Sequence, residues 1–337
     1  MKKRVYIAYT GGTIGMRKDP QGRYAPSTGF LETQLRSMPE LAHESMPDIT
    51  VHEFDPLLDS SDMTPTHWRR IAEDLAAHHD DFDACIVLHG TDTMAYTASA
   101  LAFMLTSPKT IIITGSQIPL CELRNDAREN LVTSLMFAAR YTIPEVCLYF
   151  GGRLLRGCRS VKVDAEGFGA FDSPNALALG EAGIDLELNE GIIRPAPDGS
   201  FRLEPQSAEP VIAALRLFPG ISTHTLENML QPPLQGLVLE AYGAGNGPTS
   251  SPGFTEVLRR ASDRGVVIVA CTQCLRGAVN LGAYATSLAA AGVVSGLDMT
   301  VEAALAKLYV LLGQKLEPDR VRALLTTNLR GELTPPD

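Results

Sequence analysis

Three short segments of this 337-residue chain gather hydroxyls, carboxylates and glycines at spacings that suit chemistry on a small polar ligand. The first is Thr10-Gly11-Gly12-Thr13-Ile14-Gly15, directly after the apolar run Val5–Tyr9. Glycine lets the backbone fold tightly against a ligand and leaves Thr13 on a mobile loop. A phosphate loop is the rival reading, but neither a lysine-closed glycine loop nor a GxGxxG pattern is present. The second is Asp59-Ser60-Ser61-Asp62, whose small polar side chains suit an amino-acid head group or, equally, helix capping in a solvated turn. The third is His89-Gly90-Thr91-Asp92-Thr93, after the apolar run Ala84–Leu88. Asp92 can cap the helix that follows or pair with an ammonium group. Thr91 needs a base before it can attack or activate water. A desolvated lysine can serve, and Lys162 is the candidate, although spacing alone does not separate it from a solvated loop lysine. Tyr24, eleven residues beyond Thr13, is either a phenol that polarises the Thr13 hydroxyl or an ordinary loop aromatic.

Other chemistries find less support. Cys271-Thr-Gln-Cys274 is a lone CxxC without the second ligand pair that a zinc site needs, and it reads as two thiols ending a buried strand. His78 and His79 are adjacent on a helix and point in different directions, so no metal site is expected. Pairing His89 with a serine lacks the GxSxG elbow of a serine hydrolase.

The elements that must position these segments alternate. Val5–Tyr9, Ile49–Phe54, Ala84–Leu88, Thr110–Ile113 and Glu145–Phe150 read as strands. Between them lie helical patterns opened by Thr64-Pro65 and running over Thr93–Leu105 and Arg128–Tyr141. Apolar strands alternating with helices predict an α/β fold with a parallel sheet covered on both faces. Ligands on such sheets sit at the carboxyl ends of the strands, where all three segments fall. Residues 189–209 are proline- and glycine-rich and read as a linker. They divide an N-terminal α/β catalytic domain, 1–188, from a C-terminal α/β domain, 210–337. In the latter, Val211–Leu217, Gly236–Leu239 and Val266–Ala270 are expected strands. Phe254–Ala261, Val301–Leu312 and Pro318–Asn328 are expected helices, the first two stopped by Gly265 and Gly313.

Composition narrows the partners. A net charge of −10 argues against nucleic acid, whose binders usually carry a basic face, and disfavours docking on anionic membranes. No stretch reaches the ~20 apolar residues of a spanning helix, and Val5–Tyr9 is too short for a signal-peptide core of ~7–15 residues. Six scattered cysteines do not form a disulfide framework. A cytoplasmic location is expected.

Taken together, Thr-Gly-Gly-Thr-Ile-Gly after the first strand and Leu88-His-Gly-Thr-Asp-Thr-Met94 resemble the two signature segments of the bacterial-type L-asparaginases, and specifically the cytoplasmic type I branch. The resemblance extends through Asp59-Ser-Ser-Asp-Met63, Thr114-Gly-Ser-Gln117, Tyr242-Gly-Ala-Gly-Asn246 and Asn328-Leu-Arg-Gly-Glu-Leu-Thr334. It implies a large N-terminal and a smaller C-terminal α/β domain, hydrolysis of L-asparagine to L-aspartate and ammonia without a cofactor, and weaker hydrolysis of glutamine. It implies Thr13 as nucleophile supported by Tyr24, and Thr91, Asp92 and Lys162 as the second catalytic set. Ser60, with Asp59 and Ser61 beside it, would bind the substrate carboxylate, Asp92 its ammonium, and the backbone at Ser116 its side-chain amide. Direct attack by water activated through Thr91 and Lys162 is the alternative route. A homotetramer built from dimers is implied, with Asn246 approaching the neighbouring subunit's site. Some type I relatives carry an arginine where Glu240 stands, and there it helps hold a second, effector asparagine. Glutamate would repel the effector carboxylate, and Cys274 and Val161 supply no cation, so effector activation is expected to be weak or absent. Two other functions share this fold: a subunit of a tRNA-dependent amidotransferase and a catalytically silent amino-acid sensor.

Overall fold

A computed structural model describes residues 2–283 and 287–335. The chain divides into two compact units, Met1–Glu204 and Pro205–Asp337.

The first unit is built on an eight-stranded sheet. Its strands are β1 (Arg4–Gly11), β2 (Asp48–Leu58), β3 (Ala84–Leu88), β4 (Thr110–Thr114), β5 (Val146–Phe150), β6 (Arg153–Arg156), β7 (Gly180–Ala182) and β8 (Leu186–Leu188). Their order across the sheet is β8-β7-β6-β5-β4-β3-β1-β2. The five strands from β2 to β5 in that order are parallel, with Ile7 opposite both Val51 and Ile86, and Ile86 opposite Ile112. The remaining three run antiparallel at one edge. This edge departs from the all-parallel expectation: Gly151 and Gly152 turn the chain straight back from β5 into β6, both at positive φ.

Helices α1 (Phe30–Arg36), α2 (Pro65–His78), α3 (Met94–Met104) and α4 (Ala127–Arg140) accompany the sheet. Proline opens α2, and the His67 ring nitrogen accepts from the Thr64 N–H at 3.1 Å, so an otherwise unpaired amide at the helix start is satisfied. The interior strands β3, β4 and β5 are buried along their whole length because both faces are covered, whereas edge strand β2 alternates with exposed polar residues; Ile7, Ile86, Ile112 and Leu131 are fully buried in one core. Each such side chain contributes about 1.5–3 kcal/mol by leaving water.

The second unit has four parallel strands, β9 (Ile212–Arg216), β10 (Gly236–Ala241), β11 (Val267–Thr272) and β12 (Val294–Ser295), with helices α5 (Thr223–Met229), α6 (Phe254–Asp263), α7 (Val301–Gly313) and α8 (Pro318–Leu325). Helix α6 ends as its glycine predicts. Gly265 takes φ +95°, its N–H bonds Ser262 O, and Val266 N–H bonds Ala261 O. Helix α7 does not. Gly313 is its last helical residue, and Lys315 supplies the left-handed turn at φ +57°. Gly313 instead lies against Gln206: a Cβ there would come 2.2 Å from the end of the Gln206 side chain, which would have to shift.

Within residues 189–209, a two-residue strand at Arg202–Leu203 pairs with Leu105–Thr106, so this stretch is tied to the first unit as far as Glu204. No helix among the described residues is long and apolar enough to cross a membrane.

Candidate active site

Four loops leave the carboxyl ends of β1, β2, β3 and β4, and the packing of their glycines shows how closely they meet. Gly11, at φ +133°, pairs with Leu58, and a Cβ there would lie 2.1 Å from the Leu58 carbonyl. A Cβ on Gly12 would lie 2.4 Å from the Gly90 nitrogen, and one on Gly90 would lie 2.4 Å from the Ser60 hydroxyl. The loops holding Thr13, Ser60 and Thr91 are therefore in van der Waals contact, and no other residue fits at these points. Further bonds fix the frame: Thr10 Oγ1 donates to Leu88 O at 2.9 Å, and Thr93 Oγ1 donates to Ser60 O at 2.7 Å.

Thr91 and Asp92 sit where β3 passes into α3. Lys162 is 70 residues further along the chain, in a two-residue strand, Val161–Lys162, paired with Phe171–Asp172. Its ammonium donates to Thr91 Oγ1 at 2.9 Å and to Asp92 Oδ1 at 3.0 Å. Thr91 is buried, whereas the Asp92 side chain is 65% exposed. Asp92 thus pairs with an ammonium; its place at the helix start does not make it a cap, since Thr93 holds the N-cap position. The Thr91 hydroxyl donates to Gln117 Oε1 at 3.0 Å, giving a directed chain of hydrogen bonds from Lys162 through Thr91 to Gln117.

Asp59 Oδ1 accepts from both the backbone N–H and the hydroxyl of Ser61 at 2.9 Å, which shapes the turn that presents buried Ser60. Ser116 is fully buried after β4, and its hydroxyl has no hydrogen-bond partner among the described residues. Thr13 is half-buried in a single 3-10 turn, Thr13–Gly15. Tyr24 lies on a hairpin of Met16–Lys18 against Tyr24–Pro26; it is 44% exposed, and its hydroxyl donates to Glu122 at 2.9 Å.

Asp126 and Asn130 carry no signal in the sequence, and Gln117 shows only as the end of Thr114-Gly-Ser-Gln117, with no role attached. Gln117 holds Thr91 on one side and donates to the carbonyls of Ala165 and Gly167 on the other. Asp126 accepts the N–H groups of Gln117 and Ile118, and Asn130 bridges Gly115 O to Gly151 N. His89, weighed above as a serine partner, is buried behind the third loop. Its Nδ1 donates to Gly90 O at 2.7 Å and Nε2 lies 2.9 Å from the Thr97 hydroxyl. Burial pushes its pKa down to about 4, so it is a neutral strut.

Three expected residues, Asn246, Glu240 and Cys274, belong to the second unit. Asn246 closes a tight turn with Tyr242 through paired backbone bonds of 2.8 Å. Glu240, on β10, accepts from Arg216 at 3.2 Å, a cation that the sequence reading did not place. Cys274 is exposed and in no disulfide, and buried Cys271 has its thiol pushed up to about 12. Among the described residues no group of three or more His, Cys, Asp or Glu is placed to hold a metal ion.

This arrangement offers hydroxyls, a lysine–threonine pair, an accessible carboxylate and convergent backbone at one sheet edge, which suits acyl transfer on a small amino acid. Comparison with known proteins agrees. The family described as "Asparaginase, N-terminal" matches residues 4–194, and "Glutaminase/Asparaginase C-terminal domain" matches 211–325. L-asparaginase 1 of Escherichia coli K12 is 52% identical over 100% of this chain and 99% of its own. The 60 kDa lysophospholipase of Homo sapiens is 45% identical over 99% of this chain and 62% of its own. The crystal structure of L-asparaginase I from Vibrio cholerae superposes with a TM-score of 0.92 at 50% identity, covering 99% of this chain and 100% of that one. The chain belongs to the asparaginase family of amidohydrolases.

Proposed function

We propose that this protein hydrolyses the side-chain amide of L-asparagine to L-aspartate and ammonia, with residues 1–188 as the catalytic domain, 189–209 as linker and 210–337 as the second domain. The observation that carries the reading is the Lys162–Thr91–Asp92 cluster held against the Thr13 and Ser60 loops. Asp92 takes the substrate ammonium, which replaces Lys162 as the partner of that carboxylate and leaves Lys162 to face Thr91. Ser60, on the turn shaped by Asp59 and Ser61, takes the α-carboxylate. Backbone at Ser116 meets the side-chain amide. An amide carbonyl is a weak electrophile, so preorganised donors must meet its developing oxyanion.

The Thr13 hydroxyl, its proton drawn off with help from Tyr24, attacks the amide carbon. The C–N bond breaks, ammonia leaves with that proton, and a threonine ester remains. Water, activated through Thr91 and Lys162, then cleaves the ester to give aspartate and restores the hydroxyl. Six free cysteines suit a reducing, cytoplasmic setting. A homotetramer with Asn246 beside a neighbouring subunit's site belongs to the same proposal.

The test is ammonia release from asparagine, glutamine and aspartate. Asparagine should be preferred over glutamine by about 10–200-fold in kcat/KM, since one methylene in a small pocket is worth roughly 1–3 kcal/mol. Equal values would refute the preference. Binding of asparagine without ammonia release would favour the silent sensor.

A further inference from the structure

One carboxylate grips both strands of the hairpin that follows Thr13. Lys18 stands opposite Tyr24 in the hairpin register, and both reach the same oxygen of Glu122: the Tyr24 hydroxyl donates to Oε1 at 2.9 Å and the Lys18 ammonium lies 2.9 Å from it. The Lys18 ammonium also sits 5.2 Å from the Tyr24 ring centroid, so the three side chains form one closed cluster. Glu122 is itself anchored. Its carbonyl accepts from Asn125 Nδ2 at 2.6 Å, and Asn125 Oδ1 accepts the N–H of Arg128 at the start of α4. Two more bonds run between the same segments, Leu120 N–H to Ile14 O at 3.1 Å and the Cys121 thiol to Met16 O at 3.5 Å. The loop that follows Ser116 and Gln117 is thus fastened to the segment bearing Thr13 and Tyr24 at several points, and Glu122 is the one that grips the phenol.

We propose that Glu122 is a positioning residue for the hydrolysis: its carboxylate fixes the Tyr24 phenol, and with it the Thr13 hairpin, in register with the loop carrying Ser116. The inference rests on the reading of Thr13 and Tyr24 given above. Stability is not the purpose of such a cluster, because its groups are substantially exposed and exposed ion pairs stabilise little. Geometry is, because an attacking group displaced by 1 Å can cost about 100-fold in rate. The Lys18 ammonium and then the Tyr24 hydroxyl hold the Glu122 carboxyl below the usual carboxylate range, so it remains an acceptor through neutral pH.

The experiment compares wild type with Glu122→Ala, Glu122→Gln, Tyr24→Phe and the Tyr24→Phe/Glu122→Ala double variant in two assays. In the first, trypsin cleavage at Arg17, Lys18 and Arg23 reads hairpin mobility without any substrate. Glu122→Ala should be cut about tenfold faster than wild type, with Tm unchanged. In the second, ammonia release from asparagine should show kcat lowered by about 10–100-fold in Glu122→Ala, with KM little moved. Glu122→Gln, which keeps an acceptor for the phenol, should recover part of the loss. The double variant should be no slower than Tyr24→Phe alone, because the two residues act as one unit. Wild-type cleavage rates in Glu122→Ala, unchanged kcat, losses that multiply in the double variant, or a fall in kcat that tracks a fall in Tm would each overturn the proposal. A wild-type protein that releases no ammonia would sink the hydrolytic reading instead, and the trypsin assay would still decide whether Glu122 holds the hairpin.

Discussion

Lys162 is the residue whose role depends most on where the fold brings it. Its neighbours in sequence say nothing about Thr91, yet its ammonium lies 2.9 Å from that hydroxyl. The pair it forms with Asp92 is open to water, with side-chain exposures of 22% and 65%, so it adds little to stability. Lys162→Met should therefore leave Tm nearly unchanged while lowering kcat by roughly 10²–10⁴-fold, the range of a lost general base. Lys162→Arg should fail equally, since a guanidinium keeps its protons at any working pH. Thermal melts alongside ammonia-release kinetics check both statements, and an active Lys162→Arg enzyme would remove lysine from the mechanism.

At the level of elements, the site exists because four parallel strands end at one edge and glycines let their loops touch. His89 supports the third loop from beneath, and its burial couples the loop to pH. Its pKa is about 4 in the folded chain against 6.5 in an unfolded one. Acid therefore protonates the unfolded state first: the stability this neutral imidazole permits is complete above pH 6.5 and lost as pH falls toward 4. The full loss would be about 3 kcal/mol at about 1.4 kcal/mol per pH unit. Chemical denaturation between pH 7.5 and 4.5 should show a shallower acid slope for His89→Gln than for wild type; parallel slopes would mean that other groups carry the acid sensitivity.

Element length and composition also decide what the sequence could disclose. Ala84–Leu88 is legible because a buried parallel strand is an apolar run between turn signals, and its observed limits agree. The strands β6, β7 and β8 are three or four residues long and carry no run to read. The Met16–Pro26 hairpin is equally silent, so the sequence pairs Tyr24 with Thr13 only by resemblance and does not disclose Glu122. Gln117 appears within a recognisable segment, but its bond to Thr91 depends on two loops meeting from different strands.

For the molecule as a whole, each unit has its own core, and a regulatory question falls on the second. There Glu240 binds Arg216, and burial, with the charge of Glu240 adding to it, raises the Glu302 carboxyl to about 7. A ligand carboxylate arriving beside Glu240 would meet negative charge and an arginine already paired. The rate curve against asparagine should accordingly be hyperbolic, with a Hill coefficient near one. A sigmoidal curve that turns hyperbolic in Glu240→Ala would show an effector site that works with glutamate. The reaction itself is tested most directly by steady-state ammonia release from L-asparagine with purified wild-type chain and its Thr13→Ala variant. Wild type should release ammonia with each turnover, and Thr13→Ala should be slower by several orders of magnitude while still binding asparagine. Near wild-type turnover in Thr13→Ala, or no ammonia from the wild-type chain, would contradict hydrolysis through Thr13.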